Sequence, residues 1–305
     1  MKKLMILFSI TLLSLSYAQE TKTVEHVMGT AEIPVRPEQV ATNVETLVTN
    51  LLLLGIQPLT GPEDQAGWNA PYAPLLPNNV SIDEITNIGV TEETNLETLL
   101  LARPKVIMTY EYTAETFYDD FTAIAPTVVV ERGENGDWRE RFAREAAYLG
   151  REAEAQEVVT RYESALEDLS GLSDVNVAFI RRPENGTFRM DARGSFPGSV
   201  MGDAGLGLVT APEGVGEFDG SSVQNISEER LDILMDADLI VTPDWREAGF
   251  SEETDLVGLS TFALWSTLPA VQNDRVLVVP GPVYNGGNYA AAQLLVEAIA
   301  EAVSE

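Results

Sequence analysis

Apolar and polar residues follow one another in this chain in a pattern that occurs twice in nearly the same form. The two stretches are NLETLLLARPKVIMT at 95–109 and SEERLDILMDADLIVT at 227–242. In each, a capping residue, Asn95 or Ser227, opens an amphipathic run with leucines at helical spacing, and a short apolar strand follows. The repetition predicts two separate α/β lobes. Two similar lobes leave a cleft between them, and small ligands usually bind in such clefts.

The first half of the chain carries further signals of alternating strands and helices. Alternation and two prolines at 23–40 predict an N-terminal hairpin that leads into a buried strand. A helix is predicted at 45–54, because Gly55 follows it as a glycine C-cap. The segment 61–79 is rich in Pro, Gly and Asn and is predicted as a long loop that contains Trp68. Short strands are predicted at 105–109 and 126–130.

The second half begins after the longest helical pattern of the chain, which runs from 138 to about 169 and is interrupted only by Gly150. We expect this helix to be the single connection between the lobes. VNVAFIRR and TFRMDAR then predict a β-hairpin, since Asn185-Gly186 between them supplies the positive φ of a tight turn. A strand at 275–279 and a last helix at 288–303 complete the pattern.

These elements predict an α/β fold of two lobes, with mostly parallel sheets flanked by helices and joined by one long connecting helix. The expected divisions are a signal peptide at 1–18, an N-terminal lobe at 19–137, a linking helix at 138–170 and a C-terminal lobe at 171–305. The signal peptide is expected because a positive start precedes an apolar run too short to span a bilayer, and Ser16-Tyr17-Ala18 offers small residues for cleavage.

The amino-acid composition indicates where the protein is located and which partners it can bind. The chain has no cysteine, so we expect neither disulfides nor a thiol-linked lipid anchor, and a location free in the periplasm. The formal net charge of −29 argues against nucleic acid or an anionic membrane as a partner. Four lysines stand against fifteen arginines, so an anion site would have to be built locally from arginine.

Catalytic signatures are scarce. The single histidine, His26, lies in the N-terminal hairpin, where a surface or edge role is the simplest. One histidine and no cysteine nearly exclude imidazole or thiolate metal sites, and the chain has no G-x-S-x-G elbow, no Walker loop and no G-x-G-x-x-G after a strand. A hydrolase with two carboxylates stays open, although no pair of acids stands out.

Binding features are more evident. Three predicted strands end next to aromatic or arginine residues, and ligands of open α/β sheets lie beyond such ends. In the predicted hairpin, alternation places arginines and one aspartate on a shared face, and guanidinium groups suit carboxylate or catecholate oxygens. The candidates at the strand ends are Tyr110, Tyr112, Trp245, Arg246 and Tyr284, and those of the hairpin are Arg181, Arg189, Asp191 and Arg193. The alternatives are aromatics that anchor loops and a solvated, self-paired hairpin face.

The order of several segments resembles the ferric siderophore-binding proteins of ABC importers over essentially the whole mature chain. The segments are HVMGTAEIPVRPEQV, LLLLGIQPL, NLETLLLARPKVIM, FTAIAPTV, VAFIRR, FRMDARGSFPGSVMGDAGL, ISEERLDILMDADLIV and WSTLPAVQNDRVLVV. The resemblance implies two α/β lobes joined by one long helix, with an iron chelate held in a shallow cleft and no protein ligand to the metal. The cobalamin-binding relative has the same architecture.

The resemblance also implies residue roles. Glu97 and Glu229 correspond to the glutamates that dock onto arginines of the permease. Without the resemblance, both would be interpreted as first-turn residues that interact favourably with the helix dipole. Arg181 and Arg189 correspond to ligand contacts. The chain departs from the family in having Tyr284 where a tryptophan is common in the last loop, and in lacking the lysines of many catecholate binders.

The sequence therefore predicts a monomeric periplasmic protein that binds an iron(III)–siderophore and delivers it to an inner-membrane ABC permease. We expect no catalysis, no insertion into the membrane and no cofactor, since iron enters only within the siderophore. The predicted ligand contacts are Arg181, Arg189, Arg193, Tyr110, Tyr112, Trp68, Trp245, Arg246 and Tyr284. Cobalamin or another tetrapyrrole is the alternative ligand, and a secreted two-carboxylate hydrolase is the alternative class.

Overall fold

The computed structural model of the chain describes residues 20–131, 137–181, 186–246, 248, 249, 251 and 253–304. The predicted signal peptide and most of the predicted turn at 183–186 lie outside the described residues.

The N-terminal half contains an antiparallel hairpin and two small parallel sheets. Its strands are β1 Thr21–His26, β2 Gly29–Pro34, β3 Val40–Ala41, β4 Thr60–Gly61, β5 Thr86–Asn87, β6 Val106–Tyr110 and β7 Thr127–Val130, and its helices are α1 Glu45–Leu53, α2 Gln65–Asn69, α3 Leu96–Leu101 and α4 Glu111–Ile124. Strands β1 and β2 form the predicted hairpin. The parallel sheets have the orders β3-β6-β7 and β4-β5. Three 3-10 helices occupy Ala70–Leu75, Ile82–Glu84 and Thr91–Glu93.

The connection and the C-terminal half follow. The helices are α5 Trp138–Leu149, α6 Glu152–Glu167, α7 Phe196–Ala204, α8 Asp255–Leu259, α9 Pro269–Gln272, α10 Gly281–Asn285 and α11 Tyr289–Ser304, with 3-10 helices at Glu228–Asp236 and Trp265–Thr267. The strands are β8 Asn176–Arg181, β9 Thr187–Asp191, β10 Gly207–Leu208, β11 Glu217–Phe218, β12 Ser222–Ser227, β13 Leu239–Asp244 and β14 Val276–Pro280. They form one sheet of order β11-β12-β9-β8-β13-β14, and β10 also pairs with β8.

The predicted α/β class with mostly parallel sheets is confirmed, and the antiparallel pairs in the C-terminal half are those of β9, β11 and β12. The predicted hairpin pairs β8 with β9, and Arg181 lies opposite Arg189. One apolar core cluster contains residues of both halves and of α5 and α6 between them. The two halves therefore pack against each other as well as against the connecting helices.

The repeated units differ in the kind of helix they form. In the first, the Asn95 side chain accepts a hydrogen bond from the Thr98 N–H at 2.9 Å, and the α-helix α3 leads to β6. In the second, the Ser227 hydroxyl accepts from the Glu229 N–H at 3.4 Å. The helix that follows is a 3-10 helix with non-helical backbone angles at Arg230. The predicted cap positions are confirmed, whereas the predicted second helix has the tighter winding.

The predicted continuous linking helix is two helices, α5 and α6. Gly150 ends α5 in the left-handed conformation, with φ at 63°. The positive φ disfavours a residue with a side chain at this position. Crowding disfavours it as well, because a Cβ would lie 2.6 Å from the Val35 carbonyl oxygen. The bend lets α6 pack along α11, the last helix of the C-terminal half.

The segment predicted as a loop at 61–79 contains α2 and a 3-10 helix. Because this segment is rich in proline and glycine, the sequence did not indicate its helical stretch, in which Tyr72 is completely buried. The Tyr72 hydroxyl donates a hydrogen bond to the Pro282 carbonyl at 2.6 Å. This contact ties the N-terminal half to α10 of the C-terminal half.

We predict that Gly150→Ala lowers the free energy of unfolding by at least about 1 kcal/mol more than Gly171→Ala does. Both glycines have a positive φ, but a Cβ at Gly171 would meet nothing within 4 Å. The difference between the variants therefore reports the crowding against Val35. Urea unfolding measures both values, and equal losses would contradict the close approach of α5 to the chain after β2.

Candidate functional site

A cleft of about 530 Å³ lies where the two halves and α5 meet. It is lined by Thr46, Tyr110, Tyr112, Trp138, Arg141, Arg189, Asp191, Gly194, Ser195, Phe196, Asp219, Gly220, Ser221, Asn285, Gly286 and Gly287. The N-terminal half, the connection and the C-terminal half each contribute residues. The lining combines aromatic rings, two guanidinium groups and two carboxylates.

Two tyrosines form the N-terminal wall. Tyr110 ends the buried strand β6, and Tyr112 lies in the first turn of α4, which starts at the next residue. Their ring centroids are 6.1 Å apart. Tyr110 is almost fully buried and its hydroxyl donates to Glu145 Oε1 at 3.0 Å, whereas the side chain of Tyr112 is exposed. The wall therefore has one fixed ring and one accessible ring.

Arg141 of α5 connects both halves at the floor of the cleft. It is buried, and its guanidinium donates to the Gly287 carbonyl of the C-terminal half at 2.6 Å. The same group lies 5.1 Å from the centre of the Tyr110 ring, a cation–π distance. Its Nε is 3.8 Å from Glu145 Oε1, one helical turn further along α5. A positive charge is thus held beneath the cleft by contacts on both sides.

Glu145 is fully buried behind this floor. It accepts hydrogen bonds from Asn50 at 2.6 Å and from Tyr110 at 3.0 Å. Burial raises the pKa of Glu145 to about 7, although Arg141 and the two hydrogen bonds act in the opposite direction. Near neutral pH the charge of this carboxyl is therefore sensitive to pH.

Arg189 of β9 forms the C-terminal wall opposite the tyrosines. It is partly exposed, and its guanidinium lies 3.8 Å from Asp219 Oδ2. Burial, followed by the neighbouring Arg181, lowers the pKa of Arg189. Among the described residues, the buried Nε atoms of Arg189 and Arg181 have no hydrogen-bond partner. The guanidinium of Arg189 is partly exposed and lines the cleft, so it can donate hydrogen bonds to a bound anion.

Arg181 and Tyr284 lie directly behind this wall. Tyr284 is fully buried and donates to Asp191 Oδ2 at 2.5 Å. Arg181 lies 5.4 Å from the centre of the Tyr284 ring and 3.5 Å from Asp191 Oδ1. Asp191 thereby fixes both side chains and also borders the cleft.

Asp219 is held in place by the loop that carries it. Its carboxylate accepts hydrogen bonds from the backbone N–H groups of Ser221 and Ser222 and from the Gln224 amide. Burial alone would raise the pKa of Asp219, but these hydrogen bonds outweigh it and hold the pKa well below its usual range. Asp219 is therefore a fixed anion that positions Arg189.

The structure brings together some of the predicted residues. Tyr110, Tyr112 and Arg189 line the cleft, and Arg181 and Tyr284 lie one layer behind it. The remaining four predicted residues, Trp68, Arg193, Trp245 and Arg246, are outside the lining.

Packing explains the other positions. Trp245 lies against Gly281, where a Cβ would come within 2.0 Å of the indole ring. The guanidinium of Arg246 forms hydrogen bonds with Asp244. Trp68 packs against the main core cluster. The predicted shared face of Arg189, Asp191 and Arg193 breaks because β9 ends at Asp191, and Arg193 lines a neighbouring trough.

Arg141 is the main residue that sequence reasoning missed. A signal was present, because Arg141 and Glu145 are charged residues on the apolar face of α5 that also carries Trp138, Phe142 and Leu149. Charged residues are rarely buried unless they are paired or functional. Phe196, Asp219 and the Asn285–Gly287 loop carried no comparable signal, because only the fold brings them to the cleft.

Within the described residues, no group of three or more His, Cys, Asp or Glu side chains is placed to hold a metal ion. In the same part of the chain, no helix has the length and apolar character needed to cross a membrane.

Comparison with known proteins gives consistent results. A family described as periplasmic binding protein matches residues 49–283. The probable siderophore-binding lipoprotein YfiY of Bacillus subtilis is 27% identical over 290 residues, which covers 91% of this chain and 86% of the relative. The iron-uptake system-binding protein of the same organism is 22% identical over 296 residues, with coverage of 94% and 89%.

Solved structures show the same fold. Staphylococcus aureus SirA complexed with staphyloferrin B has a TM-score of 0.67 at 19% identity and covers 93% of this chain and 99% of its own. The petrobactin-binding protein YclQ from Bacillus subtilis has a TM-score of 0.72 at 16% identity, with coverage of 94% and 99%. These similarities confirm the two-lobe α/β fold predicted from the sequence.

We predict that Glu145 makes the stability of the protein fall between about pH 4.5 and pH 7. The folded chain keeps a proton on Glu145 up to about pH 7, whereas the ordinary pKa is 4.5. The folded state then binds more protons than the unfolded state in this window, so the free energy of unfolding declines as pH rises. Glu145→Gln should remove a decline of up to about 3 kcal/mol.

Urea unfolding at several pH values tests this, with Glu140→Gln on the exposed face of the same helix as the control. The control should keep the wild-type slope. A Glu145→Gln profile parallel to wild type across the window would contradict the assignment.

Proposed function

This chain belongs to the periplasmic binding protein family, and we propose that it captures an iron(III)–siderophore in the inter-lobe cleft and delivers it to an ABC permease. The observation that carries the proposal is that the guanidinium of Arg189, with Arg181 behind it, lines the same cleft as the rings of Tyr110 and Tyr112. Relatives described as siderophore-binding and iron-uptake proteins support it.

The cleft offers two kinds of contact that suit such a ligand. Guanidinium groups donate paired hydrogen bonds to the carboxylate or catecholate oxygens of a chelate, and aromatic rings cover its organic backbone. Iron is the cargo, already coordinated by the siderophore. Because the net charge is −29, attraction of an anionic chelate must come from arginines within a Debye length of about 10 Å. Arg141 beneath the floor adds a third positive charge within the site.

The same geometry supports a binding role without catalysis. The carboxylates that line the cleft, Asp191 and Asp219, are both engaged. Asp191 accepts from Tyr284 and pairs with Arg181, and Asp219 is saturated by its own loop. A glycosidase needs one carboxyl that stays protonated as an acid and one that acts as nucleophile or base. The hydrogen bonds on Asp219 hold it in the charged form, which suits a partner of Arg189 and not an acid catalyst.

Export to the periplasm with a cleavable signal peptide is part of the proposal. Relatives are described as lipoproteins. This sequence contains no cysteine to carry a thioether lipid, so we propose that the mature protein has no lipid anchor. We also propose that it is a monomer.

Glu97 and Glu229 are the proposed contacts to the permease. Each is exposed and lies in the first turn after the capping residue of one repeated unit. One belongs to each lobe, so a permease with two matching basic sites could contact both at once. Such rim charges favour the encounter and its orientation more than the final affinity.

We predict that Arg189→Ala weakens binding of an anionic ferric chelate by about 10- to 100-fold, because charge-assisted hydrogen bonds contribute about 1.5–3 kcal/mol. Arg246→Ala is the matched control, since it removes the same charge from an exposed side chain outside the cleft lining. Quenching of tryptophan fluorescence reports binding, since Trp138 is among the cleft residues, with catecholate, hydroxycarboxylate and hydroxamate chelates of iron and cobalamin as the panel. Tight binding of cobalamin alone, or equal effects of both variants, would overturn the proposal.

We also predict that Glu97→Ala with Glu229→Ala abolishes siderophore-dependent growth under iron limitation, while the affinity for the ferric chelate stays at the wild-type value. Glu157→Ala with Glu301→Ala makes the same change in charge at exposed positions on α6 and α11 and should support normal growth. Growth and chelate binding are measured for wild type and for both double variants. Normal growth of the first double variant would remove both glutamates from the docking surface.

A further inference from the structure

We propose that an apolar trough beside the cleft binds an apolar tail, acyl or aryl, of the same chelate whose anionic head lies in the cleft. The inference rests on the proposed function and deepens it, because it assigns the cargo to the amphiphilic class. The trough has a volume of about 430 Å³. Its apolar lining comes from Ala211, Pro212, Val215, Phe218 and Val223.

The trough and the cleft share one wall, which is built from two chain segments. The end of β9 and the loop after β11 are joined by a hydrogen bond from the Ala192 N–H to the Ser221 carbonyl at 2.9 Å. Asp191 and Asp219 line the cleft, whereas Ala192 and Phe218 line the trough. Neighbouring residues of the same segments therefore face polar space on one side and apolar space on the other.

The wall carries no side chain at Gly194, which lines both the cleft and the trough. The backbones of Gly194 and Gly220 are in close contact here, since a Cβ on Gly194 would lie 2.8 Å from the Gly220 carbonyl oxygen. Gly220 has a φ of 99°, which disfavours any residue with a side chain at that position. A flexible tail therefore passes over the edge of the wall at Gly194 and not between the two backbones.

The exposed side chain of Phe218 is the strongest indication that a ligand covers the trough. Its side chain is 66% exposed on the short strand β11, although the chain as a whole is strongly acidic. An exposed aromatic in a concave apolar surface gains free energy when a ligand covers it. Continuity with the cleft through Gly194 favours a part of the cleft ligand as that cover, in preference to a second protein.

Arg193 lines the same trough and explains how the predicted cluster of arginines is divided. Arg189 faces the cleft, and Arg193 follows the bend after β9 to the other side of the wall. The stem of an exposed arginine covers apolar surface while the guanidinium stays in water. Arg193 can therefore lie along a bound tail without becoming buried.

The test compares two ferric chelates that share a head and differ only in the tail. We would prepare a ferric catecholate and a ferric hydroxycarboxylate, each as an acetyl and an octanoyl amide, and measure Kd by tryptophan quenching below the micellar concentration. Wild type should bind the octanoyl form of the accepted head at least about tenfold more tightly, since each buried methylene contributes about 0.8 kcal/mol. In Phe218→Ser and in Ala211→Trp, which fills the trough, this ratio should fall to near one.

Two controls test the tail site separately from the proposed function of the cleft. The acetyl chelate should bind wild type and both trough variants equally, and Leu101→Ser, which removes a 70% exposed leucine from the other lobe, should keep the wild-type ratio. Normal binding of the acetyl form with no gain from the octanoyl chain would overturn the tail site alone. Failure of both acetyl forms to bind would overturn the proposed function and the tail site with it. Dimerisation that disappears in Phe218→Ser would identify a second copy as the cover and also overturn the tail site.

Discussion

The buried contact between Arg141 and Glu145 is the interaction on which the site depends. Arg141 donates a hydrogen bond to the Gly287 carbonyl of one half, and the carboxyl of Glu145 accepts hydrogen bonds from Asn50 and Tyr110 of the other. Buried polar groups need such hydrogen bonds, because their desolvation is otherwise uncompensated. The pair therefore fixes Tyr110 at the cleft and sets where the two halves meet.

Charge is distributed unevenly between the surface and this interior. The chain carries −29 overall, yet Arg141, Arg181 and Arg189 converge at the cleft. Each arginine has a fixed acidic partner in Glu145, Asp191 or Asp219. The partners hold the guanidinium groups in place, and the partly exposed guanidinium of Arg189 borders the cleft. An anion that enters the cleft then meets donors that are already oriented, which lowers the entropic cost of binding.

Sequence periodicity was sufficient for most of the fold and for part of the site. Helix α1 with its Gly55 end, the β8–β9 pairing and the caps at Asn95 and Ser227 follow from local rules. The break at Gly150 was visible as a glycine but was outweighed by the helix-forming residues around it. Arg193, Trp245 and Arg246 do not line the cleft, because alternation ends with β9 and because Trp245 packs on Gly281, and their contact with a ligand stays a prediction. Contacts between residues that are distant in the sequence determine these positions.

The most direct test of the central claim is the anomalous scattering of iron in crystals grown with a ferric chelate. We expect one strong iron peak in the cleft, between the Tyr110–Tyr112 wall and Arg189, with chelate oxygens and no protein atoms in the coordination sphere. An iron peak bound by acidic surface residues, or chelate density outside the inter-lobe cleft, would contradict it.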